Sequence, residues 1–496
     1  MRIFTNLLIF TVAFWALLSC NLIRSFPESG HLPDQNIILF PLIDVKGEKV
    51  FIPVAKQMEM VDSVNKELLS NGKETIKIKH WCPCDSALVL LEGKNLDQLI
   101  ISGKEMASST GGGSGVSGEP PYGIKLNSDG SLTWPQLEEP GSKNYRLSLP
   151  YGPVNEPGKA VKVLLPPANP TDHPFIIAIL DTGFDGSLYT PASNSFWVNT
   201  AEISGADHDH NGLVGDQFGY DFVNNASFPY DDNNHGTLVT SLIHEQFRNN
   251  PWAAGKVRFM HLKTFGADGQ GTLFDNLCAL SYARQMNAKI INASWGFYSQ
   301  QESKLLGHFI QQLNTTGITL VAAAGNKNER LERNPLGWLT GIYRNLDTNP
   351  FWPAAISTTR DNVIAVTTIH SDSKESKANP AVSPEGPFDV CPNQNYSNHA
   401  VNIGVLNNPN LKVTGPIIPG CEVLDITATN GRTKSGSSFA APVVTGKLVN
   451  KLGPGWSAHK RTDLYTKVRT LSPTTLKTDP SLTNRLKDHY VLRHEP

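Results

Sequence analysis

Apolar and polar residues follow short, regular patterns over the first hundred residues. Strand-like apolar runs occur in "NIILFPLI", "ETIKIKHW" and "SALVLLEG". Between the first two lies "AKQMEMVDSVNKELLSNG", whose apolar residues recur at the spacing of an amphipathic helix. These elements predict a small α+β region, which we place at residues 21–105.

A long stretch without periodicity follows. "SSTGGGSGVSGEPP", which starts at Ser108, is rich in Gly and Ser, and Pro and Gly stay frequent as far as Pro170. Such a composition is typical of linkers. We therefore expect a linker over 106–170.

From residue 171 the pattern changes to continuous apolar runs that alternate with longer helical segments. In chain order these are "PFIIAIL", "HGTLVTSLIHEQF", "VRFMHLKTF", "TLFDNLCALSYARQMN", "KIINASWG", "LLGHFIQQLN", "ITLVAAAGN" and "NVIAVTTI". Short apolar strands separated by helices indicate a parallel sheet that is buried on both faces. We predict an α/β domain over 171–470, with a doubly wound, mostly parallel sheet flanked by helices, and a C-terminal tail over 471–496.

Composition and charge exclude one class of partner. The chain is 39% hydrophobic and 18% charged, and its formal net charge is -2. It has neither a basic excess nor a long block of like charge, which are the usual features of nucleic-acid-binding proteins. We therefore expect no nucleic acid as a partner.

The first twenty residues, "MRIFTNLLIFTVAFWALLSC", place Arg2 before an apolar run that is too short to span a bilayer. This pattern predicts an export signal over 1–20. "LLSC" is similar to the bacterial lipoprotein box, in which the Cys, here Cys20, is lipidated and anchors the protein to a membrane. Ordinary cleavage near Ser19 or Ser25 is the alternative. We expect an extracytoplasmic protein that is either anchored through Cys20 or secreted or periplasmic.

Export permits disulfides, and five further cysteines follow Cys20. Cys391 and Cys421 lie in irregular stretches, and we expect them to pair. Cys278 falls in an apolar helical segment and reads as a small buried hydrophobe. "HWCPCD" holds two more cysteines, but Cys-x-Cys alone lacks the further ligands of a metal site, so we expect a structural role.

Three polar residues stand at the ends of predicted elements in the α/β domain. Asp181 ends an apolar strand, and His235 and Ser438 each open a helical segment. In parallel sheets, functional residues collect at the carboxyl ends of the strands. A serine hydroxyl needs a base to become a nucleophile, and an imidazole can take its proton and return it. The order Asp, His, Ser along the chain is the order found in subtilisin.

Five sequence blocks extend this resemblance over 171–470. They are "ILDTG", "HGTLVTSLI", "INASWG", "VAAAGN" and "GSSFAAP". In this order they resemble the subtilases, the serine peptidases of the subtilisin type. The resemblance implies a subtilisin-like fold, with Ser438 as nucleophile, His235 as general acid and base, and Asp181 as the group that orients His235.

The serine cluster "SGSSFAAP" contains three candidates for the nucleophile. Gly436 to Pro442 falls on the family string Gly-Thr-Ser-x-Ala-x-Pro, which assigns the role to Ser438 and leaves Ser435 and Ser437 as turn and packing residues. We expect Ser438 to open a helix and Pro442 to be tolerated because the first turn has no intrahelical N–H bonds to lose.

The resemblance also implies the groups around the reacting carbonyl. Asn326 matches the family's oxyanion-binding Asn, together with the Ser438 backbone N–H. Extended peptides would pair with the segments 267–273 and 293–296. The predicted substrate-binding residues there are Gly269, Gly271, Ser294, Trp295 and Gly296. Trp295 is larger than the Leu usual at its position, so the pocket shape of relatives does not carry over.

A polar stretch, "DHDHNGLVGD", has the Asp-x-Asp-x-Asn-Gly opening of a calcium loop, although Phe218 stands where an EF-hand has its Glu. Its candidate ligands for a structural calcium ion are Asp207, Asp209, Asn211 and Asp216, and a plain polar loop is the alternative. The chemistry itself needs no cofactor.

The sequence thus predicts an exported serine endopeptidase that acts on protein or peptide substrates through an acyl-enzyme on Ser438. A catalytically silent binding protein with the same fold is the alternative from another class. Esterase or peptide ligase activity would share the acyl-enzyme step. The region 21–105 suits either an inhibitory prodomain or an accessory binding module.

Overall fold

The computed structural model describes most of the chain. The described residues are 30–40, 42–45, 48–94, 125–126, 132–133, 143–149, 174–186, 195–202, 206–246, 249–326, 344–371, 387–392, 394–406, 424–425, 433–434, 436–456 and 460–493. The predicted export signal with Cys20, most of the predicted linker, Ser435 and Cys421 lie outside them. Within the described residues, no helix combines the length and the apolar character needed to cross a membrane.

The N-terminal domain, residues 30–149, contains strands β1 to β8 and helix α1. The strands are β1 (His31–Leu39), β2 (Leu42–Val45), β3 (Glu48–Phe51), β4 (Lys77–Cys82), β5 (Asp85–Glu92), β6 (Lys125–Leu126), β7 (Leu132–Thr133) and β8 (Lys143–Ser148). Helix α1 spans Val54–Ser70.

The α/β domain, residues 174–493, contains the remaining elements. Its strands are β9 (Phe175–Asp181), β10 (Gly219–Asp221), β11 (Val257–Lys263), β12 (Gln270–Thr272), β13 (Ile290–Ala293), β14 (Phe297–Tyr298), β15 (Thr319–Ala323), β16 (Phe351–Trp352), β17 (Val363–Ser371), β18 (Phe388–Val390), β19 (Ile403–Leu406), β20 (Leu424–Asp425), β21 (Thr433–Lys434), β22 (Leu476–Thr478) and β23 (Tyr490–Leu492). Its helices are α2 (His235–Glu245), α3 (Pro251–Lys256), α4 (Leu273–Gln285), α5 (Lys304–Thr315), α6 (Ser437–Leu452) and α7 (Arg461–Leu471).

The large sheet has the strand order β10-β11-β9-β13-β15-β17-β19-β23-β22. All neighbours from β10 to β23 pair in parallel, and β22 and β18 add antiparallel pairs. The predicted α/β fold with a mostly parallel sheet is therefore confirmed.

Alternating side chains of the strands explain why both faces are apolar. Along β9, Ile177 and Ile179 pack with α2 and α6 in one buried cluster, whereas Ala178 and Leu180 pack with α4 and α5 in the other. A strand covered on both faces needs apolar residues at every position, which accounts for its continuous apolar run.

A second sheet joins the two domains. Its strand order is β12-β8-β1-β5-β4, with antiparallel pairs throughout, and β12 comes from the α/β domain. Strand β8 lies in 106–170, where the sequence predicts a linker. The sequence pattern did not indicate this strand because its partners on both sides, β1 and β12, are distant in sequence. Likewise β22 and β23, at the end of the large sheet, lie in the predicted tail 471–496. Three-residue strands are too short to show a period.

Candidate active site

Strand β9 and helix α2 bring Asp181 and His235 together at the carboxyl edge of the large sheet. His235 Nδ1 lies 2.8 Å from Asp181 Oδ1, and both side chains are buried. The Thr182 backbone N–H donates to the same Oδ1 at 2.8 Å. A carboxylate can only accept at this contact, so the proton of a neutral His235 lies on Nδ1 and Nε2 is left as the basic nitrogen.

Helix α6 places Ser438 beside this pair. The helix begins at Ser437, and the ring of Phe439, the residue after Ser438, lies 5.0 Å from the His235 ring. His235 Nε2 and Ser438 Oγ are both buried and have no hydrogen-bond partner among the described residues. A base and a hydroxyl that are not engaged elsewhere can exchange a proton with each other or with a bound substrate.

The expectation for Pro442 is wrong in one respect, since Pro442 lies in the second turn of α6. It is the sixth residue of the helix, so its missing N–H leaves the carbonyl of Ser438 without the usual i−4 bond. Ser294 Oγ donates to that carbonyl at 2.7 Å instead. The predicted substrate residue Ser294 thus holds the helix that carries Ser438.

Asn326 reaches the same helix start from the end of β15. Its Oδ1 accepts from the Ser437 N–H at 2.9 Å and from Ser437 Oγ at 3.0 Å. Between them stands Gly436, where a Cβ atom would come within 2.9 Å of Asn326 Nδ2 and 3.5 Å of Ser438 Oγ. Two bonds to Oδ1 fix the amide so that Nδ2 faces the space beside Ser438. Ser437 therefore has a positioning contact that sequence reasoning missed.

A buried carboxylate, Asp231, connects the Asp and His segments and was also missed. It accepts from Thr182 Oγ1 at 2.7 Å and from the N–H and Oγ1 of Thr237 at 2.8 and 2.6 Å. The backbone N–H groups of Asn233 and Asn234 donate to it as well. Thr182 Oγ1 in turn accepts from the Gly236 N–H at 2.8 Å. The signal in the sequence is an Asp just before a helix start, where carboxylates satisfy free N–H groups.

Lys263, the last residue of β11, bonds to the backbone just after β9 and β11. Its buried Nζ donates to the carbonyls of Thr182 and Phe265, both at 2.8 Å, and lies 2.6 Å from Asp232 Oδ1. A buried ammonium needs such a full set of acceptors. No sequence pattern distinguished this Lys from a surface residue.

The predicted substrate segments are covered by the protein's own strand β8. Gln270, Gly271 and Thr272 pair antiparallel with Ser148, Leu147 and Arg146. The Leu149 N–H donates to the carbonyl of Gly269 at 3.2 Å. Ser148 exchanges two backbone hydrogen bonds, of 3.2 and 3.3 Å, with Gly296 on the opposite side. Residues 146–149 thus lie between the two segments, with the side chains of Leu147 and Leu149 buried.

Trp295 does not lie at the surface of this groove. Its side chain is fully buried, with the ring 6.1 Å from that of Phe265, and its Nε1 has no partner among the described residues. The ring therefore belongs to the buried apolar cluster that also contains side chains of α4 and α5.

The predicted calcium loop forms an acidic cluster with a member that sequence reasoning missed. Ligand oxygens of Glu202, Asp207 and Asp209 lie within 4.8 Å of one another. Asn211 adjoins them, since its backbone N–H donates to the carboxylates of both Asp207 and Asp209. Glu202 sits in a short 3₁₀ turn five residues before the motif begins at Asp207, and it falls outside the Asp-x-Asp-x-Asn-Gly pattern, so the fold rather than the motif reveals it.

Asp216 belongs to a neighbouring network instead. Its carboxylate accepts from Asn199 Nδ2 at 3.0 Å, Asn211 Nδ2 at 2.8 Å and Tyr282 Oη at 2.5 Å. Burial raises the pKa of this carboxyl, and the three donors oppose that rise.

Among the predicted cysteine features, Cys278 is buried, as expected of an apolar helix face. Cys391 is disulfide-bonded. Its predicted partner, Cys421, lies outside the described residues.

A model of the subtilase family matches residues 172–487, which is more than half of the chain. The chain belongs to the subtilase family. The match begins just before β9 and contains Asp181, His235, Asn326 and Ser438, so the candidate site of this subtilase lies wholly inside the family region.

Several curated proteins resemble this subtilase. Subtilisin-like protease 1 of Plasmodium vivax is 27% identical over 56% of the chain and 41% of its own length. The Thermophilic serine proteinase of Bacillus sp. (strain AK1) is 32% identical over 27% of the chain and 34% of its own length. The matches therefore span about two fifths or less of the length of these relatives.

A solved structure has the same fold. Fervidolysin from Fervidobacterium pennivorans, described as a keratinolytic enzyme related to subtilisin, matches 95% of the chain and 61% of its own. The TM-score is 0.50 at 14% identity, a likeness that supports the fold alone.

Proposed function

We propose that this subtilase is a serine endopeptidase that cleaves peptide bonds through an acyl-enzyme on Ser438. The observation that carries the proposal is the 2.8 Å contact between His235 Nδ1 and Asp181, beside a buried Ser438 hydroxyl that has no hydrogen-bond partner among the described residues. His235 Nε2 takes the proton of Ser438 as Oγ attacks the carbonyl, and Asp181 stabilises the imidazolium. Asn326 Nδ2 and the Ser438 N–H receive the oxyanion. His235 then protonates the leaving amine, and water releases the acyl group by the same steps.

An active-site-directed fluorophosphonate tests the proposal on the mature protein. We expect one label per chain, attached to Ser438, and none in Ser438→Ala. Ser435→Ala serves as the matched control from the same serine cluster and should label like the wild type. If folded, mature protein takes up no label, the chain is a silent binding protein instead. Peptide substrates analysed by mass spectrometry separate hydrolysis from ester cleavage or ligation.

We further propose that the N-terminal domain inhibits the enzyme. Strand β8 pairs with Gln270–Thr272 and Gly296, the backbone positions at which the subtilase resemblance places an extended substrate. A peptide cannot pair there while β8 does, because the backbone of Gln270–Thr272 on one side and of Gly296 on the other already pairs with β8.

Leu147→Asp tests this inhibition, because it puts a charge at a fully buried position of β8. The full-length variant should react with the fluorophosphonate and with peptide at least tenfold faster than the wild type. Arg146→Ala, on the exposed side of the same strand, is the control and should behave as the wild type. Equal rates in all three proteins, with unchanged circular dichroism, would exclude a role for β8.

We also propose that Glu202, Asp207 and Asp209, with Asn211 beside them, hold a structural calcium ion. All-oxygen ligands with several carboxylates are the donor set that Ca²⁺ prefers. In the Ser438→Ala background, millimolar Ca²⁺ should raise the melting temperature relative to chelator, and Asp209→Ala should abolish that difference. Asp361→Asn, at an exposed position, should retain it. An equal effect of Ca²⁺ on both variants would refute the site.

Export is proposed on the predicted signal, and the disulfide at Cys391 supports an oxidising compartment. If Cys20 is lipidated, Cys20→Ala should move the protein from the membrane fraction to the soluble one. An unchanged distribution would favour ordinary signal cleavage.

A further inference from the structure

Three thiols meet where the N-terminal domain contacts the α/β domain. Cys82 ends β4, Cys84 stands in the turn to β5, and Cys278 lies in the middle of α4. The Cys82 and Cys84 Sγ atoms are 3.7 Å apart, and Cys84 Sγ donates to the Cys278 carbonyl at 3.5 Å. The Cys82 and Cys278 thiols are neighbours that influence each other's ionisation. All three are unpaired and buried, with exposed fractions of 0%, 8% and 1%.

The surrounding contacts fix the register of this junction. Ser281 Oγ donates to Asp85 Oδ2 at 2.9 Å, and Gln285 Nε2 donates to the Cys84 carbonyl at 2.8 Å. Cys278, Ser281 and Gln285 follow one another at helical spacing, so one face of α4 receives the turn between β4 and β5. These contacts define how the β4–β5 hairpin packs on α4, and in this arrangement Cys82 lies next to Cys278.

We propose that Cys82 and Cys278 form a disulfide that covalently joins the N-terminal domain to the α/β domain. Cys82 is the thiol that neighbours both of the other thiol groups, whereas Cys84 bonds to the backbone carbonyl of Cys278. A bridge between Cys82 and Cys84 would close a ring of three residues within a tight turn, whereas Cys82–Cys278 closes a loop of about 200 residues and constrains the unfolded chain far more.

A shared metal ion is a poorer interpretation of the same three residues. Across the described part of the chain, the His, Cys, Asp and Glu atoms close enough to share an ion are those of Glu202, Asp207 and Asp209, and no thiol is among them. A structural zinc site would need four ligands around one point. The thiols instead contact each other in pairs, which suits an S–S bond.

The reaction balances with an external disulfide as oxidant, either a small molecule or a protein. The Cys278 or Cys82 thiolate attacks that disulfide and forms a mixed disulfide with release of one thiol. The other cysteine then displaces the second thiol and forms the Cys82–Cys278 bond. The two cysteines lose two electrons and two protons, and the oxidant leaves as two thiols.

Burial determines when this reaction can occur. Burial raises the pKa of the Cys82 thiol well above its ordinary range and that of Cys278 to about 12, so neither forms a thiolate readily once the domains are docked. The Cys82–Cys278 bond therefore forms while the β4–β5 hairpin is docking on α4, before the thiols are buried. Once the domains have docked, burial shields the bond from reductants.

The consequence, which rests on the proposed inhibitory role of the N-terminal domain, concerns activation. Cleavage between the domains would not release an inhibitor that is still bonded to α4. Reduction would be needed as well, which would make activation dependent on redox conditions.

The experiment uses the full chain, exported to an oxidising compartment, as the inactive Ser438→Ala variant with a foreign protease site inserted in the Gly/Ser-rich stretch after Ser108. After cutting and denaturation without reductant, the N-terminal fragment should migrate with the catalytic fragment on a gel, and dithiothreitol should separate the two. Peptide mapping with blocked thiols should identify Cys82 linked to Cys278. This result does not depend on activity, so failure of the proposed function would not affect it.

Two variants complete the test. Cys82→Ala should separate the fragments without reductant, and Cys84→Ala, the matched control from the same turn, should keep them joined. If Cys82→Ala does not accumulate, Cys278→Ala provides the same test from the other side. Free thiols at both positions in the folded wild type, a Cys82–Cys84 bridge, or a Cys84–Cys278 bridge would each overturn the proposal.

Discussion

At the residue scale, the candidate site contains buried polar atoms without partners among the described residues. Asp181 Oδ2, His235 Nε2 and Ser438 Oγ are three of them, within one small region. Leaving a buried polar group unpaired costs about 1–3 kcal/mol. In the proposed reaction, His235 Nε2 and Ser438 Oγ gain partners in each other and in the substrate, and Asn326 beside them is held by Ser437 at its oxygen.

The hydroxyl of Ser437 should matter for turnover through that contact. Ser437→Ala keeps the backbone bond to Asn326 but loses the one from Oγ, so the amide is less well fixed. We expect kcat to fall about fivefold, equivalent to roughly 1 kcal/mol, with little change in KM. Ser437→Thr should restore the rate, and Asn326→Ala, which removes the donor itself, should cost about 10²–10³-fold. A rate for Ser437→Ala equal to that of the wild type would mean that the backbone bond suffices.

At the element scale, two helix starts are tied to strand ends by polar contacts rather than by apolar packing alone. Asp231 joins the turn after β9 to the start of α2, and Ser294 joins the end of β13 to the first turn of α6. Each contact provides hydrogen bonds that the helix itself cannot make. Asp231 accepts from an N–H in the first turn of α2, and Ser294 donates to the Ser438 carbonyl, for which Pro442 has no N–H. These directional hydrogen bonds therefore fix how each helix start lies against its strand end.

Asp231→Asn should disturb both segments at once. Both oxygens of Asp231 only accept, so an amide NH₂ would face donors such as the Thr237 N–H and leave them unpaired. We expect a loss of about 2–4 kcal/mol in the free energy of unfolding and a lower kcat. Urea unfolding in the Ser438→Ala background measures the first effect. Asp268→Asn, on an exposed turn, is the reference, and equal midpoints for the two variants would contradict this role.

Ser294→Ala should weaken the attachment of helix α6 to the end of β13, because it removes the bond from Ser294 Oγ to the Ser438 carbonyl. The Ser438 carbonyl would then be buried without a donor, because Pro442 cannot supply one. We expect a loss of roughly 1–3 kcal/mol in unfolding free energy. Ser281→Ala, which removes a buried hydroxyl bond at the domain junction, offers a comparison of similar burial. If Ser294→Ala lowers kcat while Ser281→Ala does not, the bond positions Ser438 rather than only stabilising the fold.

At the scale of the whole molecule, the sequence predicted the α/β fold because continuous apolar strands recur with helices between them. Asp181, His235 and Ser438 were found because each stands at an element boundary. Ser437 was missed because its contact is with Asn326, which is distant in the chain, and Asp231 and Glu202 were missed because single polar residues in irregular or very short segments leave no period. Strand β8 was missed for a similar reason, since its partner β12 belongs to the other domain.

The stability of the whole molecule should depend on pH through His261. Burial lowers its pKa from 6.5 to about 3, so between these values the unfolded chain binds a proton that the folded chain does not. Stability contributed by the neutral ring is therefore lost as pH falls below about 6.5, by about 1.4 kcal/mol per pH unit. Asp275, whose pKa burial raises to about 7, acts in the opposite direction but is the same in all variants compared.

In the Ser438→Ala background, we expect the drop in unfolding free energy from pH 7 to pH 4.5 to be roughly 2–3 kcal/mol smaller in His261→Gln. His399→Gln, on the surface, should keep the full drop. An identical drop in all three proteins would show that the His261 environment does not control acid stability.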